Sequence, residues 1–263
     1  MNNENVFMMS ASRTGSTLVW QCLKKILKND DIKKLHATGV DPRLRLDSIL
    51  ESEAPCVITE RDAMESLLSY TRVTRFKGDT KAFVHHFENP DHEFALAMPD
   101  GSQLNLKHEA LLWTDSYHYK KQLIHMDEFK KRFRGPQLVL SYEKFAHDYD
   151  YIFSELESFL DVKIDKDTKL DIISSTNREA NKKIQEDFEN FKEMDKKSNI
   201  HGGHIALEET QKVKELIKTY GYKAEGWTDR GNYYEEIADF LDNPDPSQWL
   251  EVDKTLKNAG ASR

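Results

Sequence analysis

Short apolar runs alternate with longer amphipathic stretches through the first 160 or so residues, and that alternation limits the folds open to the chain. Periodicity predicts strands at Asn5–Ser10, Ile32–His36, Cys56–Glu60 and Gln137–Ser141. Helices are predicted from Thr14 to about Leu27, from Arg61 to about Val73, and from Tyr142 or Glu143 to Leu160. Strands separated by helices pair in parallel, because a parallel pair needs a crossover and the crossover helix packs back on the sheet. The expected class is α/β, with a central parallel sheet flanked by helices on both faces.

The rest of the chain is less regular. Between Lys77 and Arg134 there are NPD and MPDG turn signals, then a long helical pattern at Glu109–Arg134. Beyond Leu160 the sequence reads as charged helix through Phe191, is interrupted by SNIHGGHI at Ser198–Ile205, and resumes as helix over about Glu208–Tyr220. After Trp227 comes an acidic tail with NPDP and an amphipathic segment around Trp249, Leu250, Val252 and Leu256. The division expected is one domain over 1–226 and an acidic helical extension over 227–263. That extension either packs on the domain or makes a subunit contact, as in a homodimer.

Composition excludes several functions. A chain of 263 residues can bury one sizeable core. Its net charge of −8 gives no electrostatic support to nucleic-acid binding, so an anionic ligand would need a local pocket of positive groups. Cys22 and Cys56 are the only cysteines and lie far apart, which offers neither a disulfide framework nor a metal knuckle. No basic, apolar leader opens the sequence and no run reaches the roughly 20 apolar residues of a membrane span. A cytoplasmic protein is expected.

Four segments carry candidate chemistry. In SASRTGST, Ser10–Thr17, a strand runs into a helix start whose amides and dipole attract anions. Gly15 permits close approach, Ser12, Thr14, Ser16 and Thr17 offer hydroxyls, and Arg13 offers a planar fork for a tetrahedral oxyanion. A triphosphate loop would place lysine directly after its second glycine, whereas Ser16 follows Gly15 here. The plainer alternative is a helix start capped by Ser12 or Thr14. In ITERDAMESLLSY, Arg61 stands at a strand end, where ligands bind in open α/β sheets, and Ser69 lies two helical turns further on. Here the alternative is an Arg61–Glu65 surface pair. In KKLHA, His36 ends the second strand with a side chain suited to general-base work. Tyr142 ends the fourth strand, where an aromatic ring can flank a base.

Taken in this order and spacing, the segments resemble the sulfotransferases that use 3′-phosphoadenosine 5′-phosphosulfate (PAPS). Arg13-Thr14-Gly15-Ser16-Thr17 is similar to that family's 5′-phosphosulfate loop, and Arg61 with Ser69 to its 3′-phosphate pair. Lys34-Leu35-His36 resembles its lysine–histidine segment, and Tyr142-Glu143-Lys144 followed by Phe159-Leu160 has a counterpart as well. The resemblance spans roughly residues 5–222 and implies a P-loop NTPase-like three-layer fold and an enzyme that moves a sulfuryl group from PAPS, leaving PAP, to a hydroxyl or amine of a small-molecule or carbohydrate acceptor. It implies Arg13, Lys34 and His36 as catalytic residues, with His36 or a glutamate as the base. Donor-binding residues would be Arg13, Thr14, Gly15, Ser16, Thr17, Arg61, Ser69 and Tyr142. The family's C-terminal closing segment is not recognisable, and Lys196, Lys197, Ser198 and the Gly202–Gly203 amides stand near its place.

The rival within this architecture is a P-loop kinase-like phosphotransferase, with Glu60 or Asp62 holding magnesium; the missing lysine argues against it. A metal hydrolase would draw on His201, His204 and one of His85, His86 or His92. The HxxH of His201 and His204, around a double glycine, is not at helical spacing and no flanking carboxylate completes a ligand set, so no metal is expected.

Overall fold

Two strands without a polar face hold the centre of the sheet. A computed structural model of the chain describes residues 6–37, 49–89, 91–97, 101–186, 194–195, 197–198, 200–201, 207–220 and 233–242. In it, β1 (Phe7–Ser10) is buried throughout and β3 (Cys56–Glu60) is buried up to its last residue, as strands covered on both faces must be. Outside them lie β2 (Lys33–His36) and β6 (Gln137–Ser141), giving a four-stranded parallel sheet in the order β2-β1-β3-β6. Registers are level at the carboxyl ends: Ser10 pairs with His36 and Thr59, and Glu60 with Ser141. From β1 the chain moves to one side for β2 and returns to the other for β3. That reversal makes a switch point at the ends of β1 and β3, the usual place for a ligand crevice in an open parallel sheet.

By contact the chain falls into two compact units, 1–62 with 125–205 and 63–124 with 206–263. The first contains the parallel sheet. Helix α1 (Ser16–Leu27) sets Val19, Cys22 and Leu23 against Met8, Val57 and Leu140 of the sheet. The same core takes in Ile152, Phe153 and Leu156, and Ile172. Cys22 and Cys56 are free thiols buried in this unit. Where one helix from Tyr142 to Leu160 is predicted, there are two, α5 (Tyr142–Phe145) and α6 (Tyr149–Leu160). Asp148 causes the break: its backbone is extended and its carboxylate accepts the Tyr151 N–H at 3.0 Å, so it starts a new helix. Next come α7 (Lys166–Thr176), α8 (Arg178–Glu186) and a short hairpin of β7 (Met194–Asp195) and β8 (Ile200–His201).

The second unit is built on α2 (Ala63–Phe76), α3 (Thr80–Glu88), α9 (Leu207–Tyr220) and α10 (Tyr233–Asp242). It also holds an antiparallel hairpin, β4 (Phe94–Ala97) with β5 (Gln103–Leu106), and the first part of α4 (His108–Arg132). Its buried ion pair joins Arg75 Nη2 to Asp115 Oδ1 at 2.6 Å, with the Asp115 side chain fully enclosed. Among the described residues no helix is long and apolar enough to cross a membrane.

Candidate functional site

The loop that leaves β1 is bent by two residues with left-handed backbone, Arg13 (φ 67°) and Gly15 (φ 78°). For an arginine this is an uncommon conformation, sustained only where neighbours fix it. Thr14 Oγ1 donates to the Ala11 carbonyl at 3.0 Å and meets Thr59 Oγ1 at 2.8 Å, which ties the loop to the end of β3. From just beyond β3, Arg61 Nη1 donates to the Arg13 carbonyl at 3.3 Å. Gly15 is required twice over. Besides its positive φ, a Cβ there would stand 2.5 Å from Tyr142 Cδ2 and 2.8 Å from Phe145 Cζ.

Neither Ser12 nor Thr14 caps α1. The cap is Gly15, which has no side chain to offer, and the first turn holds no carboxylate. A helix start of this kind presents its leading amides and the positive end of its dipole to whatever lies beyond it. Two further cations join Arg13 there. Lys34, on β2, donates from Nζ to Thr17 Oγ1 at 2.7 Å. Burial, with the Arg13 charge added, brings its ammonium down to about 7. Arg61 lays its guanidinium 4.3 Å from the centre of the Tyr142 ring, within cation–π range.

His36 stands beside Ser10, its Nδ1 3.5 Å from the serine Oγ. Burial first and the Lys34 charge second lower its pKa to about 4, against an opposing pull from hydrogen bonding at the Ser10 and Ala11 backbone. It is therefore neutral at pH 7. Glu143 braces the far side of the site by accepting the Asp62 N–H and the Ser141 hydroxyl, each at 2.7 Å. Burial pushes its carboxyl up, but those two bonds and the Arg61 charge outweigh it and hold the group below its ordinary range.

The fold thus brings together Arg13, Thr14, Gly15, Ser16, Thr17, Lys34, His36, Arg61 and Tyr142 at one end of one sheet. Ser69, by contrast, is a buried residue of α2 in the second unit. Lys197 and Ser198 form the turn between β7 and β8, held by Asp195, whose carboxylate accepts the Ser198 N–H at 2.7 Å. Lys196, Gly202, Gly203 and His204 lie outside the described residues. Sequence reading missed Thr59, which closes on Thr14. It also missed Gln21, a polar residue on the buried face of α1 one turn beyond Thr17, whose placement is the signal that could have revealed it.

In the second unit, His86 is fully buried and its Nδ1 meets His92 Nδ1 at 2.7 Å. Phe76, Phe87, Phe94 and His108 pack around the ring. Burial, then the neighbouring His108, His92 and His85, drive its pKa down to about 3. Among the described residues no group of three or more His, Cys, Asp or Glu is placed to hold a metal ion.

No protein-family model matches the sequence, and no curated protein matches it significantly. By structure, the chain is similar to a sulfotransferase. One match is to mouse sulfotransferase SULT7A1 complexed with PAP, at a TM-score of 0.43 and 12% identity, over 92% of this chain and 90% of that one.

Proposed function

We propose that the chain is a PAPS-dependent sulfotransferase acting on a hydroxyl or amine of a small-molecule or carbohydrate acceptor. One observation carries this reading: Arg13, Lys34 and Arg61 converge on a carboxylate-free helix start in a protein of net charge −8. Such a concentration of cations against the global field suits a polyanionic donor. The donor's 5′-phosphosulfate is assigned to Arg13–Thr17 with Lys34. Its 3′-phosphate is assigned to Arg61 and, on sequence spacing alone, to Ser69. Tyr142, already stacked on Arg61, flanks the adenine, and Lys197 and Ser198 close over the nucleotide. His36 takes the acceptor proton as the acceptor oxygen or nitrogen bonds to sulfur and the bond from sulfur to the phosphate oxygen breaks. Arg13 and Lys34 then face the charge left on that oxygen.

The phosphotransferase alternative is weakened by Glu60. A magnesium-holding carboxylate must be available to the ion, yet Glu60 Oε1 is 2.6 Å from Lys130 Nζ. Thermal shift separates the two readings. PAP is expected to raise Tm where ATP with magnesium does not, and the reverse result gives the site to a nucleoside triphosphate. Arg13→Ala should abolish transfer, while Arg61→Ala should chiefly weaken PAP binding; unchanged affinity would remove Arg61 from the 3′-phosphate.

A further inference from the structure

Helix α1 does more than present its first turn to an anion. One turn beyond Thr17, on the same face, Gln21 is buried and makes bonds that reach far along the chain. Its Nε2 donates to the Ser198 carbonyl at 2.7 Å and to Asn181 Oδ1 at 3.2 Å. Asn181, on α8, returns a contact from Nδ2 to Gln21 Oε1 at 3.5 Å and donates to the Thr176 carbonyl at 2.8 Å. A further turn along the face, Lys24 Nζ lies 3.4 Å from the Lys197 carbonyl. The Lys197–Ser198 turn is therefore fastened from both sides. Asp195 holds its amides, and α1 holds its carbonyls.

We infer that Gln21 is a positioning residue, which with Asn181 latches the Asp195–Ser198 turn to the helix carrying the anion loop. The inference rests on the sulfotransferase reading, in which Lys197 and Ser198 close over the nucleotide. An amide suits the task because it donates twice and accepts once at the same spot. A carboxylate of the same shape has no hydrogen for the Ser198 carbonyl, and an apolar side chain of similar volume leaves that part-buried carbonyl without this donor. Losing one such bond lowers the docked population by about tenfold. When that loss appears as an undocked turn, nucleotide affinity falls by about tenfold.

The test uses the whole chain and two readouts. Amide hydrogen exchange at Lys197 and Ser198, without ligand, reports whether the turn is docked; calorimetric titration with PAP reports closure. Gln21→Leu and Gln21→Glu should both speed exchange at these amides and weaken PAP by about tenfold. Asn181→Leu should do the same from the other partner, and it guards against a fault in α1 itself. Gln21→Leu and Lys197→Ala should be non-additive in PAP affinity, since both act through one turn, whereas general loosening of the fold would add. Unchanged exchange in both Gln21 variants overturns the latch. Faster exchange with unchanged PAP affinity, in a wild type that binds PAP, overturns the positioning role and leaves the enzyme reading intact. Wild-type protein that fails to bind PAP overturns that reading, and the positioning role falls with it, while the exchange data still report the latch.

Discussion

Two histidines, one in each unit, are held neutral for the same first reason and to opposite effect. Burial depresses both, His36 to about 4 and His86 to about 3. Their neighbours differ. His36 ends a strand beside Lys34 and Arg13, basic groups whose charge an anionic ligand would offset, and its Nδ1 faces a serine hydroxyl. Among the described residues His86 faces aromatic rings and other histidines, with Nε2 enclosed and without a hydrogen-bond partner there. A depressed pKa thus has two meanings. On the proposed function, the strand-end histidine is a base kept neutral beside basic groups; inside the second unit the depressed pKa is stability that acid can remove.

The largest expected effect breaks the comparison on the first side. His36→Ala should lower sulfuryl transfer about 10²–10⁴-fold, the usual contribution of a positioned base, with PAP affinity little changed. Transfer from labelled PAPS, beside a PAP titration, checks it. Near-full activity would pass the role of base to another group, a glutamate being the first to examine.

On the second side the effect is on folding. His86 binds its proton in the unfolded chain near pH 6.5 and in the folded protein only near 3, so folding expels a proton over that interval. Its contribution to stability is whole above pH 6.5 and is lost as pH falls from 6.5 toward 3, reaching a few kcal/mol. His85, His92 and His108 surround it, and each adds to the repulsion that keeps it neutral. Urea unfolding at pH 7 and pH 5 should therefore show a steep loss in the wild type and a shallower one in His86→Phe. Equal slopes would strip the cluster of its acid sensitivity.

Glycines sharpen the same contrast between units. Gly15→Ala meets both a positive φ and the Tyr142 and Phe145 rings, so it should cost more than about 2 kcal/mol and PAP binding with it. Gly101 has φ +83° but no described residue within 4 Å of a new Cβ, so Gly101→Ala should cost only the backbone term, about 1–2 kcal/mol. Equal losses in denaturant midpoint would mean that the ring contact at Gly15 adds nothing.

How much of this was legible depends on the range of the signal. Cys56–Glu60 and Gln137–Ser141 are strands at the predicted residues because apolar runs bounded by turn residues are local signals. The Arg13–Thr17 loop was legible for the same reason, as strand, glycine and helix follow one another directly. The break at Asp148 was missed because the apolar pattern runs through it and only a cap, one side chain to one amide, interrupts it. Gln21, Asn181 and Thr59 were missed because their partners are distant: Gln21 bonds a residue 160 positions away and Thr59 one 45 away. The helix α3 and the β4–β5 hairpin fall in the stretch from 77 to 134 that read as irregular. Elements of four to nine residues give periodicity little to count.

The smallest effect tests whether the strand-end group really answers to an anion. Lys34, at about 7, is roughly half neutral in the free protein at neutral pH, because burial and Arg13 oppose its charge. A polyanion in the Arg13–Thr17 loop reverses the second cause, so binding should draw a proton onto Lys34. Above pH 7 each unit of pH then weakens PAP by up to about tenfold, until the bound-state pKa is reached. Titrations in buffers of different ionisation enthalpy should show proton uptake on binding, and Lys34→Met should abolish it. His86 takes up its proton when the protein unfolds, and Lys34 when the ligand arrives. PAP binding with no proton uptake would show that the ligand leaves Lys34 as it was, and the cation pair beside His36 would no longer differ in kind from the histidine cluster.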